Sequence, residues 1–330
     1  MIKIGIDTFG GDNAPNEVIK GARDAKAFFN DVEISLFGDE EKITAACYLM
    51  GIDTKLFEIR HAPGVMDIHA EPTKLLKEYK DSSMSVGLSA CWAGECDAFV
   101  SAGSTGALVV GATFITKRLK GIKRVALSPL LPSDKGSFML LDAGANTDCR
   151  PEMLLQFAVM GSAYMNSVMG IDYPKIGLLN IGSEDTKGRE LEVEAYKLLN
   201  SSRLNFSGNT EARELPLGEQ DVIVADGYTG NIALKLYEGM GSYFGKTLKK
   251  MLTANLKTKL GALLIMKQVN EFKSKMDYRE TGGAVMLGAS CPVIKAHGSS
   301  DARAFFNAIR QARLCVTGDI IGKIKTGLES

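Results

Sequence analysis

The amino-acid sequence predicts an α/β fold, with a mostly parallel sheet covered on both faces by helices. Three observations carry this reading. Short apolar runs of strand length alternate along the chain with longer helix-like stretches, the pattern of repeated strand–helix–strand units. Most of these runs close on Gly, Asp, Asn, Ser or Thr, residues that turn a strand into a helix and cap it. The 330 residues are 45% apolar, with 39 basic and 39 acidic side chains and a formal net charge of +0. That length supplies core for one large domain or two lobes. The composition excludes a largely disordered chain. The charge balance excludes a dedicated nucleic-acid binder, which needs Lys and Arg clustered over a whole face.

In chain order, strands are expected at IKIGID (2–7), VEISLF (32–37), DAFVSA (97–102), SFMLLD (137–142), KIGLLNIG (175–182) and DVIVADG (221–227). Each has strand length and β-branched or apolar content. Helices are expected at Glu17–Phe29, Pro151–Met169, Glu190–Asn200 and Ala302–Arg313. Residues 251–276 read as two helices. Leu252, Leu256, Leu260, Leu263 and Leu264 share one face, whereas Ile265, Val269, Phe272 and Met276 fall on another, so the stripe breaks near Gly261–Met266. The turn carries Leu263, Leu264, Ile265 and Met266, flanked by Lys257, Lys259, Lys267, Lys273 and Lys275 against the single acid Glu271. An apolar tip ringed by lysines suits contact with an anionic bilayer surface; packing on the body or on a partner subunit is the alternative.

No apolar run approaches the ~20 residues of a spanning helix, and MIKIGIDTFGG lacks the apolar region of a secretory signal. A cytoplasmic location is therefore expected, with peripheral association at the inner face of the cell membrane through the tip. Cys47, Cys91, Cys96, Cys149, Cys291 and Cys315 form no Cys-x-x-Cys pair and no zinc spacing, and read as small buried residues.

The polar strand ends are Asp7…Gly10-Gly11-Asp12, Ser101–Gly106, Asp142–Asn146, Gly182–Asp185 and Asp226–Asn231. In an open α/β sheet, ligands bind beyond the carboxyl ends of the strands, so these five loops are expected to line one cleft for a polar or anionic ligand. Each alone is also what a capped turn requires. In Gly103-Ser104-Thr105-Gly106, backbone N–H groups and two hydroxyls at a helix start can hold a phosphate. Lys187, between Gly182 and Gly188, can reach an oxyanion or a phosphate. Lys295, His297, Ser299 and Ser300 can converge on one anion ahead of the last of these helices. Gly241–Thr247 imitates a nucleoside-triphosphate loop, but Met240 stands where its first glycine belongs and the segment reads as helical, so it is set aside.

Gly10-Gly11-Asp12…Ala14-Pro15, SAGSTGAL (101–108), LLDAGAN (140–146), GLLNIGSEDTKG (177–188), ADGYTGNIALK (225–235) and IKAHGSSDARAFFNAIRQA (294–312) together resemble the bacterial phosphate acyltransferase family, from residue 1 to about 315. The resemblance implies a single domain over 1–330: a three-layer α/β/α sandwich with two lobes around a cleft, similar to phosphotransacetylase and isocitrate-dehydrogenase-like folds, with a helical hairpin inserted at about 246–278. It implies transfer of a long-chain acyl group from acyl–acyl carrier protein to inorganic phosphate, giving acyl phosphate for phospholipid synthesis. It further implies a homodimer, no bound cofactor, and delivery of product at the membrane to a glycerol-3-phosphate acyltransferase there. One position departs. The family usually reads Gly-Gly-Asp-His-Ala-Pro, and this chain has Asn13, which cannot exchange a proton.

Phosphate near neutral pH is already a nucleophile and a thiol leaves readily, so the site must chiefly gather anions and stabilise an oxyanion. Lys187 and His297 are therefore expected to stabilise phosphate and oxyanion, with Asn146 contacting the reacting carbonyl. Gly103, Ser104, Thr105, Asp185, Asn231, Lys295, Ser299 and Ser300 form the expected substrate-binding set, and no metal site is expected. Three rival readings remain: a phosphotransacetylase acting on coenzyme A thioesters, an NAD-dependent dehydrogenase of similar fold, and a non-catalytic membrane-surface scaffold. The dehydrogenase lacks its Gly-x-Gly-x-x-Gly fingerprint here.

Overall fold

The computed structural model describes residues 1–275 and 282–329. Its strands are β1 (Ile2–Asp7), β2 (Val32–Gly38), β3 (Glu58–His61), β4 (Ala98–Ser101), β5 (Ala126–Ser133), β6 (Gly136–Leu141), β7 (Ile176–Asn180), β8 (Phe206–Glu211), β9 (Val222–Val224), β10 (Ala284–Leu287) and β11 (Val293–Lys295). They form one sheet in the order β3-β2-β1-β4-β11-β10-β5-β6-β9-β7-β8. The helices that matter below are α1 (Asn16–Phe28), α2 (Glu40–Leu49), α3 (Ser83–Trp92), α4 (Thr105–Phe114), α5 (Pro151–Ser167), α6 (Glu190–Asn200), α7 (Gly227–Leu252), α8 (Leu256–Leu264), α9 (Met266–Lys275) and α10 (Ala302–Thr317).

Successive strand residues face opposite sides of a sheet, and here both sides are buried. Ala98 and Val100 join one core with Val18, Phe157 and Phe305 from α1, α5 and α10. Phe99, between them, joins the other core with Leu88, Leu108 and Leu234 from α3, α4 and α7. β6 divides the same way, Met139 and Leu141 against Phe138 and Leu140. This is why the strands read as continuous apolar runs rather than alternating ones, and it makes the fold a three-layer α/β/α sandwich.

The sheet is mostly parallel, but β10 runs antiparallel to both β11 and β5, and β5 antiparallel to β6. β1, β4 and β11 therefore point one way, and β6, β7 and β9 the other. The expectation that all five polar loops leave one edge of a parallel sheet is corrected by this reversal: they leave opposite edges. α7 spans the difference. Its 26 residues rise about 39 Å at ~1.5 Å each, starting from the edge where β9 ends. Asp226 caps it by accepting the Thr229 N–H at 2.9 Å, and Gly241–Thr247 lies inside it as ordinary helix.

α8 and α9 meet at Ile265, within the predicted break. Leu263 and Leu264 are 67% and 86% exposed, and Ile265 and Met266 are exposed as well. Ala262 and Val269 are the buried side chains of this hairpin among its described residues. Met276 and the end of the expected insertion, to residue 278, lie outside the described residues. No described helix is long and apolar enough to cross a membrane.

The start of α7 fits against the loop after β6 only through glycine. A Cβ on Gly230 would lie 1.9 Å from the Asp142 carbonyl oxygen. Gly230→Ala is expected to destabilise the protein by ~1–3 kcal/mol or more, as overpacking against backbone does, read as a lower urea midpoint at unchanged slope.

Candidate active site

The polar loops form two clusters. In the first, Asp7 closes β1 and is buried. Its two carboxylate oxygens accept the Ser83 and Ser101 hydroxyls, each at 2.6 Å. Burial pushes this carboxyl up, and the Ser101 and Ser83 hydroxyls with the Phe9 and Gly10 backbone hold it back. Ser101 Oγ in turn accepts the Gly103 N–H at 3.0 Å. A Cβ on Gly10 would sit 2.4 Å from Asp7 Oδ2, and one on Gly11, at φ +100°, 3.0 Å from the Gly298 carbonyl oxygen. Asp12 N–H donates to that same oxygen at 2.8 Å. The loops after β1, β4 and β11 thus interlock.

Lys295, the last residue of β11, donates from Nζ to the carbonyl oxygens of Ala102, at 3.2 Å, and Ala296. Burial pulls its pKa down to about 8; Asp7 and Asp12 oppose this and Lys235 on α7 adds to it. Burial also lowers His297, with Glu238 and Asp12 opposing and Lys295 and Lys235 adding. The Ser299 N–H donates to His297 Nδ1 at 3.3 Å, and the Ser299 hydroxyl lies 2.9 Å from the same nitrogen. The neutral ring therefore carries its proton on Nε2. Asn13 Nδ2 donates to the carbonyl oxygens of Ser299 and Ser300, at 3.1 and 3.2 Å, pinning this loop.

The second cluster centres on Asp142, buried just beyond β6. It accepts the N–H groups of Leu127, Gly144, Ala145 and Asn146 at 2.7–3.1 Å, and the Asn146 amide at 2.8 Å. Burial pushes this carboxyl up and these donors oppose it. Arg189 pairs with Asp226 and Glu192. Burial would raise Asp226, but Thr229 and Arg189 more than offset that, leaving it below the usual carboxylate range. Asn231, on the first turn of α7, lies beside Gly144. Lys235, one turn on, acts on Lys295 and His297 in the first cluster, and Glu238 acts on His297, so α7 joins the two.

Several expected contacts take other positions. Asn146 gives its second amide hydrogen to the Val125 carbonyl at 2.7 Å, so both donors are spent and it has none for a reacting carbonyl. The Gly103 N–H is committed to Ser101, and Ser104 Oγ accepts the Ala107 N–H at 3.5 Å as the cap of α4; Gly103 finishes a turn, whereas the Ser104 hydroxyl keeps its own hydrogen to donate. Thr105 and Asp185 are exposed. Ser300 Oγ is buried with no hydrogen-bond partner among the described residues. Lys187 stands half-exposed on the loop after β7, its Nζ 3.8 Å from Glu184, in the second cluster rather than beside His297. Conversely, the sequence reading gives Asp7 no role beyond a polar strand end and assigns none to Ser83 or Lys235. Asp7 had a signal, an acid ending a buried strand; Ser83 had none.

A cavity of about 200 Å³ opens in the first cluster between Asp7, Gly11, Ser104 and the 65–68 segment. A larger concavity of about 470 Å³ lies at the opposite end of α4, around Phe114, Lys117, Arg118 and Lys120, away from the glycine-rich loops. Among the described residues, no group of three or more His, Cys, Asp or Glu could hold a metal ion.

A three-layer α/β/α fold whose sheet has reversed halves is an architecture shared with phosphotransacetylases of known structure. Solved phosphotransacetylases from Streptococcus pyogenes (TM-score 0.66, 18% identity, 97% of this chain and 94% of that one) and Staphylococcus aureus (TM-score 0.64, 19% identity, 95% and 94%) have this fold. A family model described as fatty acid synthesis protein matches residues 2–323. Relatives named phosphate acyltransferase are 48% identical over 330 residues in Caldanaerobacter subterraneus, covering 99% of this chain and 98% of that one, and 45% identical over 326 residues in Clostridium acetobutylicum, with the same coverage. The chain belongs to the phosphate acyltransferase family, and it is an acyltransferase.

Asp142→Ala is expected to cost about 3 kcal/mol or more, because it strands several buried N–H donors at ~1–3 kcal/mol each. Denaturant titration measures this, and an Asp226→Ala comparison reports the less buried acid.

Proposed function

We propose that the protein transfers a long-chain acyl group from acyl–acyl carrier protein to inorganic phosphate, releasing carrier thiol and acyl phosphate. The observation that carries this reading is the grouping of Lys295, Lys235 and His297 at the glycine-tight first cluster, in a chain close to relatives named phosphate acyltransferase. Phosphate binds against Lys295 and Lys235. One of its oxygens attacks the thioester carbonyl carbon, the carbonyl oxygen becomes an oxyanion, and the C–S electron pair leaves with sulfur as the intermediate collapses. His297, neutral with its proton on Nε2, acts as a hydrogen-bond donor to that oxyanion. Positioning and electrostatic stabilisation supply the rate, without a strong base. Lys187 takes part only from the second cluster, so its loss is the milder one.

The acyl phosphate has a lipid tail and serves phospholipid synthesis, consumed by a glycerol-3-phosphate acyltransferase in the membrane. The exposed Leu263–Met266 tip supports contact with the inner membrane surface. An exposed stripe on α7, formed by Ile232, Leu236, Met240, Tyr243 and Met251, recurs at helical spacing and supports a homodimer.

Free carrier thiol and acyl phosphate should appear only when inorganic phosphate is present; phosphate-independent thiol release sinks the reading. Lys295 binds an anion as ammonium, below about pH 8, and loses that charge above it. The phosphate KM should therefore rise on the alkaline side of pH 8. Lys295→Arg should remove that rise, and Lys295→Ala should lower kcat/KM by ~10²-fold, the scale of losing one oxyanion-type contact, more than Lys187→Ala does.

A separate measurement addresses the tip. Wild type should sediment with anionic liposomes, and Leu263→Glu with Leu264→Glu should abolish this while transfer to phosphate in solution persists. Unfolding or loss of dimer in that variant would make the tip core or interface instead.

A further inference from the structure

The cavity beside Asp7 holds no role in the transfer scheme above, and its chemistry excludes one obvious occupant. None of its twelve lining residues is basic, and two, Asp7 and Asp12, are carboxylates. An inorganic phosphate placed there meets like charge in a poorly screened space, while the cations of the first cluster, Lys295 and Lys235, are not among its walls. The cavity is instead divided by polarity. Its polar side is partly committed, with Asp7 holding the Ser83 and Ser101 hydroxyls and Ser104 Oγ accepting the cap bond of α4. Its other side is Phe9, Val65, Met66, Ile68 and Met84.

That apolar side is graded in depth. Val65 and Ile68 are 46% and 52% exposed at the mouth, whereas Met66 and Met84 are buried at the floor. Large apolar side chains left open at the rim of a concave site mark a binding surface. The floor also reaches the loop backbone: a Cβ on Gly103 would lie 2.6 Å from Met84 Cε. Methionine side chains adapt to unbranched chains of differing length.

We propose that this cavity receives the first carbons of the acyl chain, with the rest of a long chain leaving past Val65 and Ile68. The reacting carbonyl then lies at the Gly11–Gly103 edge, between the cavity and Lys295. This rests on the acyl-transfer reading and adds the specificity-determining side chains. The neutral arm of the carrier is the competing occupant.

Two measurements test it. The first is transfer to phosphate from thioesters of one carrier that differ only in acyl length, from four to sixteen carbons (about the range a lipid tail spans). In Ile68→Asp and in Val65→Asp, the ratio of kcat/KM for the longest chain to that for the shortest should fall ~10-fold or more, the scale on which apolar pockets discriminate methylenes. Ile68→Leu should restore it. Equal losses at every length assign the cavity to the carrier's arm and overturn the proposal, and an unchanged ratio does so too. The second needs no turnover. A fluorescent long-chain fatty acid should bind wild type ~10-fold or more tightly than Ile68→Asp, with both proteins equally folded by circular dichroism; equal binding overturns the proposal. Absence of phosphate-dependent transfer at every chain length would fail the reaction instead, leaving the binding measurement to decide the cavity.

Discussion

A buried carboxylate at the end of a central strand organises each half of the site. Asp7 ends β1 and Asp142 follows β6, and both are at most 2% exposed. Taking a carboxylate from water costs several kcal/mol, roughly, unless its lone pairs are filled. The chain fills them from the adjoining loops: two serine hydroxyls for Asp7, and four backbone N–H groups with one amide for Asp142. The glycines follow from this. The donors must approach so closely that a Cβ at Gly10 or Gly227 would collide with Asp7 or Asp142. Glycine-rich backbone that looks designed for phosphate is thus committed first to the protein's own anions.

The same arrangement separates charge. The carboxylates occupy the strand ends and the cavity, while Lys295 is drawn toward the carbonyl oxygens of Ala102 and Ala296. Lys235 faces it from α7, and burial with this like charge depresses Lys295. If phosphate binds there as proposed, it offsets this depression by favouring the ammonium form of Lys295. By linkage, binding of phosphate and retention of the Lys295 proton reinforce one another. Lys295 is the residue at which anion affinity, burial and pH meet.

Much of the fold was legible from the sequence because both faces of the sheet are buried. Runs such as IKIGID and SFMLLD are mostly apolar, interrupted inside only by Lys3, and β1 and β6 fall on them. β5 was missed because ALSPLLPS holds two prolines and reads as loop; β10 and β11, of four and three residues, were missed as well. Those three strands reverse the sheet, so the missing information was strand direction, which hydropathy does not encode. The site was legible in proportion to its locality. The Lys295–Ser300 segment announces itself within six residues, and His297 and Ser299 do meet there. Asp7, Ser83 and Ser101 are spread over 94 residues, and only the crossing of β1, β4 and α3 brings them together.

Asn13 shows which demands the chemistry places on this architecture. Its one amide nitrogen donates to two successive carbonyl oxygens, those of Ser299 and Ser300, at the position where the motif of the resembled family leads us to expect histidine. A neutral imidazole carries a single N–H, one hydrogen where the amide nitrogen has two, and cannot serve two neighbouring acceptors in this way. Proton exchange is lost and grip on the loop is kept. That exchange is tolerable if the nucleophile arrives as an anion and the leaving group is a thiolate, because neither then needs a proton moved at this position. In the proposed mechanism the loop's part is the orientation of His297, whose Nδ1 accepts the Ser299 N–H. Asn13 secures the backbone on which Ser299 sits, so a residue unable to act as acid or base still fixes which nitrogen of the neighbouring histidine carries the proton.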